Sequence, residues 1–106
     1  MANQKQVIVV IPAYEPSDEL LTLIQEIRSQ TPFKVIIVDD GSGSRYAPIF
    51  EEARLDAYVI GYKDNEGKGS ALKTAFSYIL KRYEEAIIVT ADSDGQHRVK
   101  DIVAIA

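Results

Sequence analysis

Four short segments concentrate the side chains able to hold a charged ligand. Asp92-Ser93-Asp94, followed by Gly95-Gln96-His97, carries two carboxylates one residue apart. On a turn, an Asp-x-Asp pair projects both carboxylates to one side, where their hard oxygens suit a divalent cation such as Mg2+ or Mn2+. With so few protein ligands, water and a substrate diphosphate would complete the coordination shell. A solvated turn with Asp94-Gly95 as its dipeptide accounts for the same residues. Asp39-Asp40, followed by Gly41-Ser42, offers carboxylates that can accept hydrogen bonds from a base N–H or from ribose hydroxyls. A surface turn or a helix cap would use them equally well. Tyr14, within Pro12-Ala13-Tyr14-Glu15-Pro16, can stack on a base or simply pack over neighbouring chain.

Gly67-Lys68-Gly69 invites a phosphate-loop reading that its spacing refuses. The GxxxxGK[ST] pattern is not met, because five residues separate Gly61 from Gly67 and Gly69 follows Lys68. The dinucleotide fingerprint GxGxxG fails too, since Leu72 stands at its last position. What remains is a glycine-flexible entry to a helix, where Lys68 and the helix N-terminus can meet an anionic phosphate or form a plain junction. His97 is the single histidine, available for a metal or phosphate contact or left as an exposed imidazole.

The elements that must position these segments are legible from periodicity. Residues 7–11, 35–38, 57–60 and 86–90 are short, continuous runs rich in Val and Ile. Continuous rather than alternating apolar character predicts strands buried on both faces, as in a parallel sheet. Over 17–29, Leu20, Leu23, Ile24 and Ile27 fall at helical spacing, with Ser17 as N-cap and Asp18 and Glu19 in the first turn. A second helix is predicted over 68–83, with an apolar stripe of Ala71, Leu72, Ala75, Phe76, Ile79 and Leu80. A shorter one is expected over 48–54 and another beginning at 98 and running to 106. Alternation of strand and helix predicts an α/β architecture, a Rossmann-like three-layer α/β/α arrangement around a mostly parallel sheet. Ligands in such sheets bind outside the carboxyl ends of the strands. All four segments stand at those ends, so they are expected to line a single crevice.

Composition narrows the class further. The chain has 106 residues, 46% hydrophobic and 26% charged, with a formal net charge of −4. Those fractions belong to a globular domain rather than a disordered chain. The acidic balance argues against a general nucleic-acid binder. Zero cysteines exclude a disulfide scaffold, a thiolate zinc site and a cysteine nucleophile. The apolar runs fall far short of the ~18 residues that span a bilayer, and a cytoplasmic location is expected.

Taken in order, the segments resemble the family 2 glycosyltransferases of the GT-A fold, in particular their dolichyl-phosphate-mannose-synthase-like branch. The matching pieces are Val9-Val10-Ile11-Pro12-Ala13-Tyr14, Ile36-Ile37-Val38-Asp39-Asp40-Gly41-Ser42, Asn65-Glu66-Gly67-Lys68-Gly69-Ser70-Ala71, and Ile88-Val89-Thr90-Ala91-Asp92-Ser93-Asp94-Gly95-Gln96-His97. The resemblance implies a nucleotide-diphosphate sugar, a UDP- or GDP-sugar, as partner. Pro12, Ala13 and Tyr14 would line the base pocket and Asp39 or Asp40 would read the base. Asp92 and Ser93 would approach ribose and phosphate with Lys68 nearby, and Asp94, helped by Asp92, would hold a Mg2+ or Mn2+ cofactor. It further implies inverting transfer, in which an acceptor attacks the sugar C1 directly. The acceptor, a polyprenyl phosphate or a glycan, is left open.

Departures from the family's pattern concern specificity. Glu15 and Pro16 follow Pro-Ala-Tyr where Asn and an acid are usual, so Glu15 is the candidate for the ribose contact there. Ala75 stands where many members have Gly, and Arg98 replaces a frequent proline. In the family the acceptor site and catalytic base lie further along the chain. Residues 1–106 are therefore expected to be the N-terminal, nucleotide-sugar-binding part of a longer glycosyltransferase domain, with its general base past Ala106. The fragment alone is expected to be inactive and the whole protein to associate with a membrane. The last strand would be a bare sheet edge, open to a second copy of the chain. Two other classes compete with this reading. One is a non-catalytic nucleotide-binding or receiver-type module. The other is a haloacid-dehalogenase-type phosphohydrolase, whose Asp-x-Asp normally follows the first strand rather than the fourth.

Overall fold

The computed structural model describes residues 6–93 and the backbone of residues 103–105. Five strands form one sheet in the order β3-β2-β1-β4-β5: β1 Gln6–Ala13, β2 Lys34–Asp40, β3 Tyr58–Tyr62, β4 Ala86–Thr90 and β5 Val103–Ile105. The first four run parallel, and β5 is antiparallel to β4. Among the described residues three helices join the first four strands: α1 Glu19–Gln30, α2 Ala47–Ala53 (entered through a 3-10 turn over Ser44–Tyr46) and α3 Lys68–Arg82.

Alternation of side chains along each strand explains the continuous apolar runs. Val9, Ile11, Ala13, Val35 and Ile37 point to one face, where Leu20, Leu23, Ile24 and Ile27 of α1 and Phe50 and Ala53 of α2 cover them. Ile8, Val10, Ile36 and Val38 point to the other, covered by Ala71, Ala75 and Ile79 of α3. A strand buried on both faces has no reason to alternate polar and apolar residues. Asp18 rather than the expected Ser17 stands at the N-cap of α1, while the Ser17 Oγ accepts from the Glu19 N–H at 3.2 Å.

Two further expectations need correction. The helix foreseen over 98–106 is contradicted at its end, because 103–105 pair as a strand with Thr90, Val89 and Ile88. Residues 98–102 lie outside those described. Ile102-Val103-Ala104-Ile105 is β-branched and short, and β4 otherwise presents a row of unpaired backbone groups to receive it. The edge of β4 is therefore paired by the chain's own β5, which becomes the outer strand of the sheet. The apolar stripe of α3 is also narrower than its sequence implies. Ala71, Ala75 and Ile79 form the contact line, the two alanines letting the helix approach the sheet closely, and Leu80, one residue round the helix, is 76% exposed. Among the described residues no helix is long and apolar enough to cross a membrane.

These environments predict opposite responses to the same truncation. Ile37→Ala, at 0% exposure, should lower the unfolding free energy by about 2–5 kcal/mol. Leu80→Ala should stay within about 0.5 kcal/mol of the parent, both read from urea denaturation midpoints.

Candidate functional site

The carboxyl ends of β1, β2 and β4 and the N-terminus of α3 converge on a crevice of about 460 Å³. Its walls are Pro12 and Ala13 at the end of β1 with Tyr14 just after it, Asp40 at the end of β2, Asn65, Gly67 and Lys68 before and at the start of α3, and Asp92 and Ser93 after β4. Seven of the residues singled out from sequence, Pro12, Ala13, Tyr14, Asp40, Lys68, Asp92 and Ser93, thus share one space. A second depression, about 370 Å³, lies at the opposite strand ends among Arg28, Lys34, Arg54 and Tyr58, away from all of them.

Asp40 organises the crevice rather than facing it with a free carboxylate. The residue is 4% exposed. Its Oδ1 accepts from the Tyr62 hydroxyl at 2.6 Å and the Glu66 N–H at 2.9 Å. Its Oδ2 accepts from the Gly67 N–H at 3.0 Å and from Asn65 Nδ2 at 3.1 Å, while Asn65 Nδ2 also reaches the Asp40 carbonyl at 3.0 Å. A carboxylate offers about four lone-pair directions, so these donors fill it. Two of them are backbone N–H groups at the entry to α3, which places a negative charge at the positive end of the helix dipole. Register makes this possible, because Asp40 stands beside Tyr62 across the β2–β3 ladder.

The preceding residue does different work. Asp39 Oδ1 accepts from the Ser42 N–H at 2.9 Å, closing a turn after β2. Ser42 Oγ in turn accepts from the Glu15 N–H at 2.8 Å, tying the β1 loop to the β2 loop. Glu15 sits at φ +48°, a left-handed conformation uncommon for a residue with a side chain, and this bond holds it there. Its carboxylate beside Tyr14 is the main reason the Tyr14 phenol is raised above its ordinary pKa. The Tyr14 ring is 49% exposed at the crevice rim. Neither Asp39 nor Glu15 is among the crevice walls. Gly41, at φ +68°, packs so closely that a Cβ would fall 2.2 Å from the Asn65 nitrogen, so only glycine permits the β2 and α3 loops to touch.

On the far side, Lys68 Nζ donates to Asp92 Oδ1 at 2.9 Å, an ion pair spanning the gap between α3 and the end of β4. Asp94, expected to hold a metal, lies outside the described residues, as do Gln96 and His97. Among the described residues no group of three acidic or histidine side chains could hold a metal by itself. The available donors are oxygens, the Asp92 carboxylate and the Ser93 hydroxyl, a chemistry that fits a hard divalent cation completed by a diphosphate and water. Sequence reasoning passed over Asn65, Tyr62 and Ser42 as individuals. Asn65 and Ser42 stood within segments already singled out, but the roles of Ser42 and Tyr62 come only through cross-loop and cross-strand neighbours.

Two substitutions separate these roles. Asp40→Asn leaves one acceptor oxygen for four donors and should cost about 2–3 kcal/mol by urea denaturation, whereas Asp39→Asn keeps an acceptor for Ser42 and should cost less than about 1 kcal/mol. A pH titration tests the Tyr62 contact. Burial, then the Asp40 carboxylate, raises the Tyr62 pKa above its ordinary value of 10.0, so the folded chain holds that proton more tightly than the unfolded one. The corresponding stability is complete below about pH 10 and declines as pH rises through the folded pKa. Tyr62→Phe should make the alkaline decline measurably shallower.

The model of the glycosyl transferase family 2 domain matches residues 8–104. The chain is 31% identical over 108 residues to the undecaprenyl-phosphate 4-deoxy-4-formamido-L-arabinose transferase of Pectobacterium carotovorum, covering 92% of this chain and 32% of that protein. It is 28% identical over 118 residues to the UDP-N-acetylglucosamine–dolichyl-phosphate N-acetylglucosaminyltransferase of Methanococcus voltae, covering 95% of this chain and 46% of that one. The chain spans less than half the length of the curated relatives it matches. Among solved structures, S. aureus TarS 1–349 superposes at a TM-score of 0.66 with 26% identity, over 84% of this chain and 27% of that one. The glucosyl-3-phosphoglycerate synthase of Mycobacterium tuberculosis, crystallised with Mn2+ and UDP, shares the fold at a TM-score of 0.65 and 24% identity, over 85% and 34%. With the family model covering nearly the whole chain and the strand order seen here, the chain belongs to glycosyl transferase family 2 and has the GT-A fold.

Proposed function

We propose that this chain supplies the donor site of a glycosyltransferase that moves a sugar from a nucleoside diphosphate to a polyprenyl phosphate. The observation that carries the reading is the convergence of the strand-end segments on one crevice with an aromatic rim, a helix N-terminus and an ionic far wall. An aromatic ring, a cationic side chain and a carboxylate in that order match the base, diphosphate and cation of a nucleotide-sugar complex. The lipid-phosphate acceptor class follows from what the named relatives transfer to.

Each part of the chain then has a stated task. Tyr14 offers its exposed face for base stacking, worth about 1–3 kcal/mol per base where it occurs. Asp40 is filled by its own loop and Asp39 closes a turn outside the crevice walls, so base recognition falls to Tyr14 and the Pro12-Ala13 wall. Lys68 and the first turn of α3 present positive charge to the diphosphate. Asp92, with Asp94, would hold a Mg2+ or Mn2+ ion, which when bound would offset the charge building on the departing nucleoside diphosphate. Attack at C1 from the opposite side inverts the anomeric centre. A phosphate acceptor already carries its negative charge at neutral pH and has no proton for a general base to remove, whereas a hydroxyl acceptor would require one.

A thermal-shift screen of UDP, GDP and their sugar conjugates, with and without Mn2+, tests the donor site directly. Stabilisation by at least one nucleoside diphosphate, larger with Mn2+ and absent in Asp92→Ala and Asp94→Ala, is the expected outcome. Tyr14→Ala should weaken the same nucleotide by roughly fivefold to a hundredfold. A folded chain that binds neither UDP nor GDP in the presence of Mn2+ would overturn the reading.

A further inference from the structure

We infer that Lys68 is the internal counter-ion of Asp92, displaced when the donor enters, so that cation and nucleotide bind this crevice cooperatively. The inference rests on the donor-site reading above and adds a role that a phosphate-binding lysine alone would not have.

The geometry sets up a competition. Lys68 Nζ lies 2.9 Å from Asp92 Oδ1, within charge-assisted hydrogen-bond range. A divalent cation taking that oxygen would stand against the ammonium at close range, and the repulsion between the two positive charges favours displacing the ammonium. Lys68 can move: it is the first residue of α3, its side chain is 62% exposed, and its four-carbon stem is flexible. Its backbone cannot follow, since the neighbouring Gly67 N–H is bound to the buried Asp40 carboxylate. The ammonium therefore stays tethered at the mouth of the crevice while its head changes partner.

The consequence depends on what else is present. With a cation alone, the released ammonium is left beside the positive end of α3 with its counter-ion taken, an unfavourable state. With a diphosphate in the crevice, the same ammonium gains a new anion as it leaves Asp92. Nucleotide should therefore tighten cation binding, and by linkage the cation should tighten nucleotide binding by the same factor.

Mn2+ titration followed by the electron paramagnetic resonance of the free ion reads this without any transfer activity. Without nucleotide, Lys68→Met should bind Mn2+ about three- to fivefold tighter than the parent, the range that loss of an exposed ion pair allows. Saturating UDP (or GDP, whichever binds) should tighten Mn2+ binding to the parent, and this enhancement should shrink in Lys68→Met by at least the same factor. Lys68→Arg, which keeps the cation, should retain most of the enhancement, and circular dichroism confirms that each variant is folded. Equal Mn2+ affinities for parent and Lys68→Met without nucleotide, or an undiminished nucleotide enhancement in Lys68→Met, would overturn the inference. Should the parent bind Mn2+ but neither nucleotide, the donor-site reading falls, while the nucleotide-free comparison still decides whether Lys68 guards Asp92.

Discussion

One buried carboxylate is the constraint on which the crevice depends. Asp40 is 4% exposed, and an ionised carboxylate in that position is tolerable only if its lone pairs are filled. The Tyr62 hydroxyl, the Asn65 amide and the Glu66 and Gly67 N–H groups fill them. In doing so they fix where β2 ends, how the loop after β3 returns, and where α3 begins. The start of α3 in turn fixes the root of Lys68 and hence the reach of its ion pair to Asp92 at the end of β4. A wrong conformation of the loop after β3 would leave that charge short of donors, which is why the loop has little freedom to rearrange.

The crevice balances charge locally within a chain whose net charge is −4. Asp40 faces the N-terminus of α3, Asp92 faces Lys68, and Glu15 stands beside the Tyr14 phenol at the rim. Such a surface would repel a free diphosphate if its carboxylates were exposed and unpaired. Two of the three are instead engaged by donors of this chain, and the third lies at the rim rather than in the walls. The difference between Asp39 and Asp40 illustrates the same economy. They are adjacent and chemically identical, yet strand alternation turns one toward a surface turn and the other toward the buried loop.

Much of this was legible in the residues. Both-face burial of β1 and β2 follows from Val7-Ile8-Val9-Val10-Ile11 and Val35-Ile36-Ile37-Val38, and the polar segments after each strand announced a shared crevice. What escaped was geometry that depends on long-range neighbours. Leu80 belongs to an apolar stripe by helical spacing, but small side chains at 71 and 75 drew the helix onto a different line and left Leu80 in water. The segment at 103–105 was read as helix because a short apolar run is ambiguous alone, and the free backbone of β4 decided it.

The sequence by itself determined the fold class, the family and the set of residues available for chemistry, because periodicity and local turn composition are properties of neighbours along the chain. Only the tertiary structure decided how that set is divided. It committed Asp40 to Tyr62, Asn65 and the α3 entry, paired Lys68 with Asp92 across 24 residues of sequence, and tied Glu15 to Ser42 across 27. Those assignments rest on distances between strands and loops, and a side chain's available lone pairs depend on which donors the fold brings within about 3 Å of it.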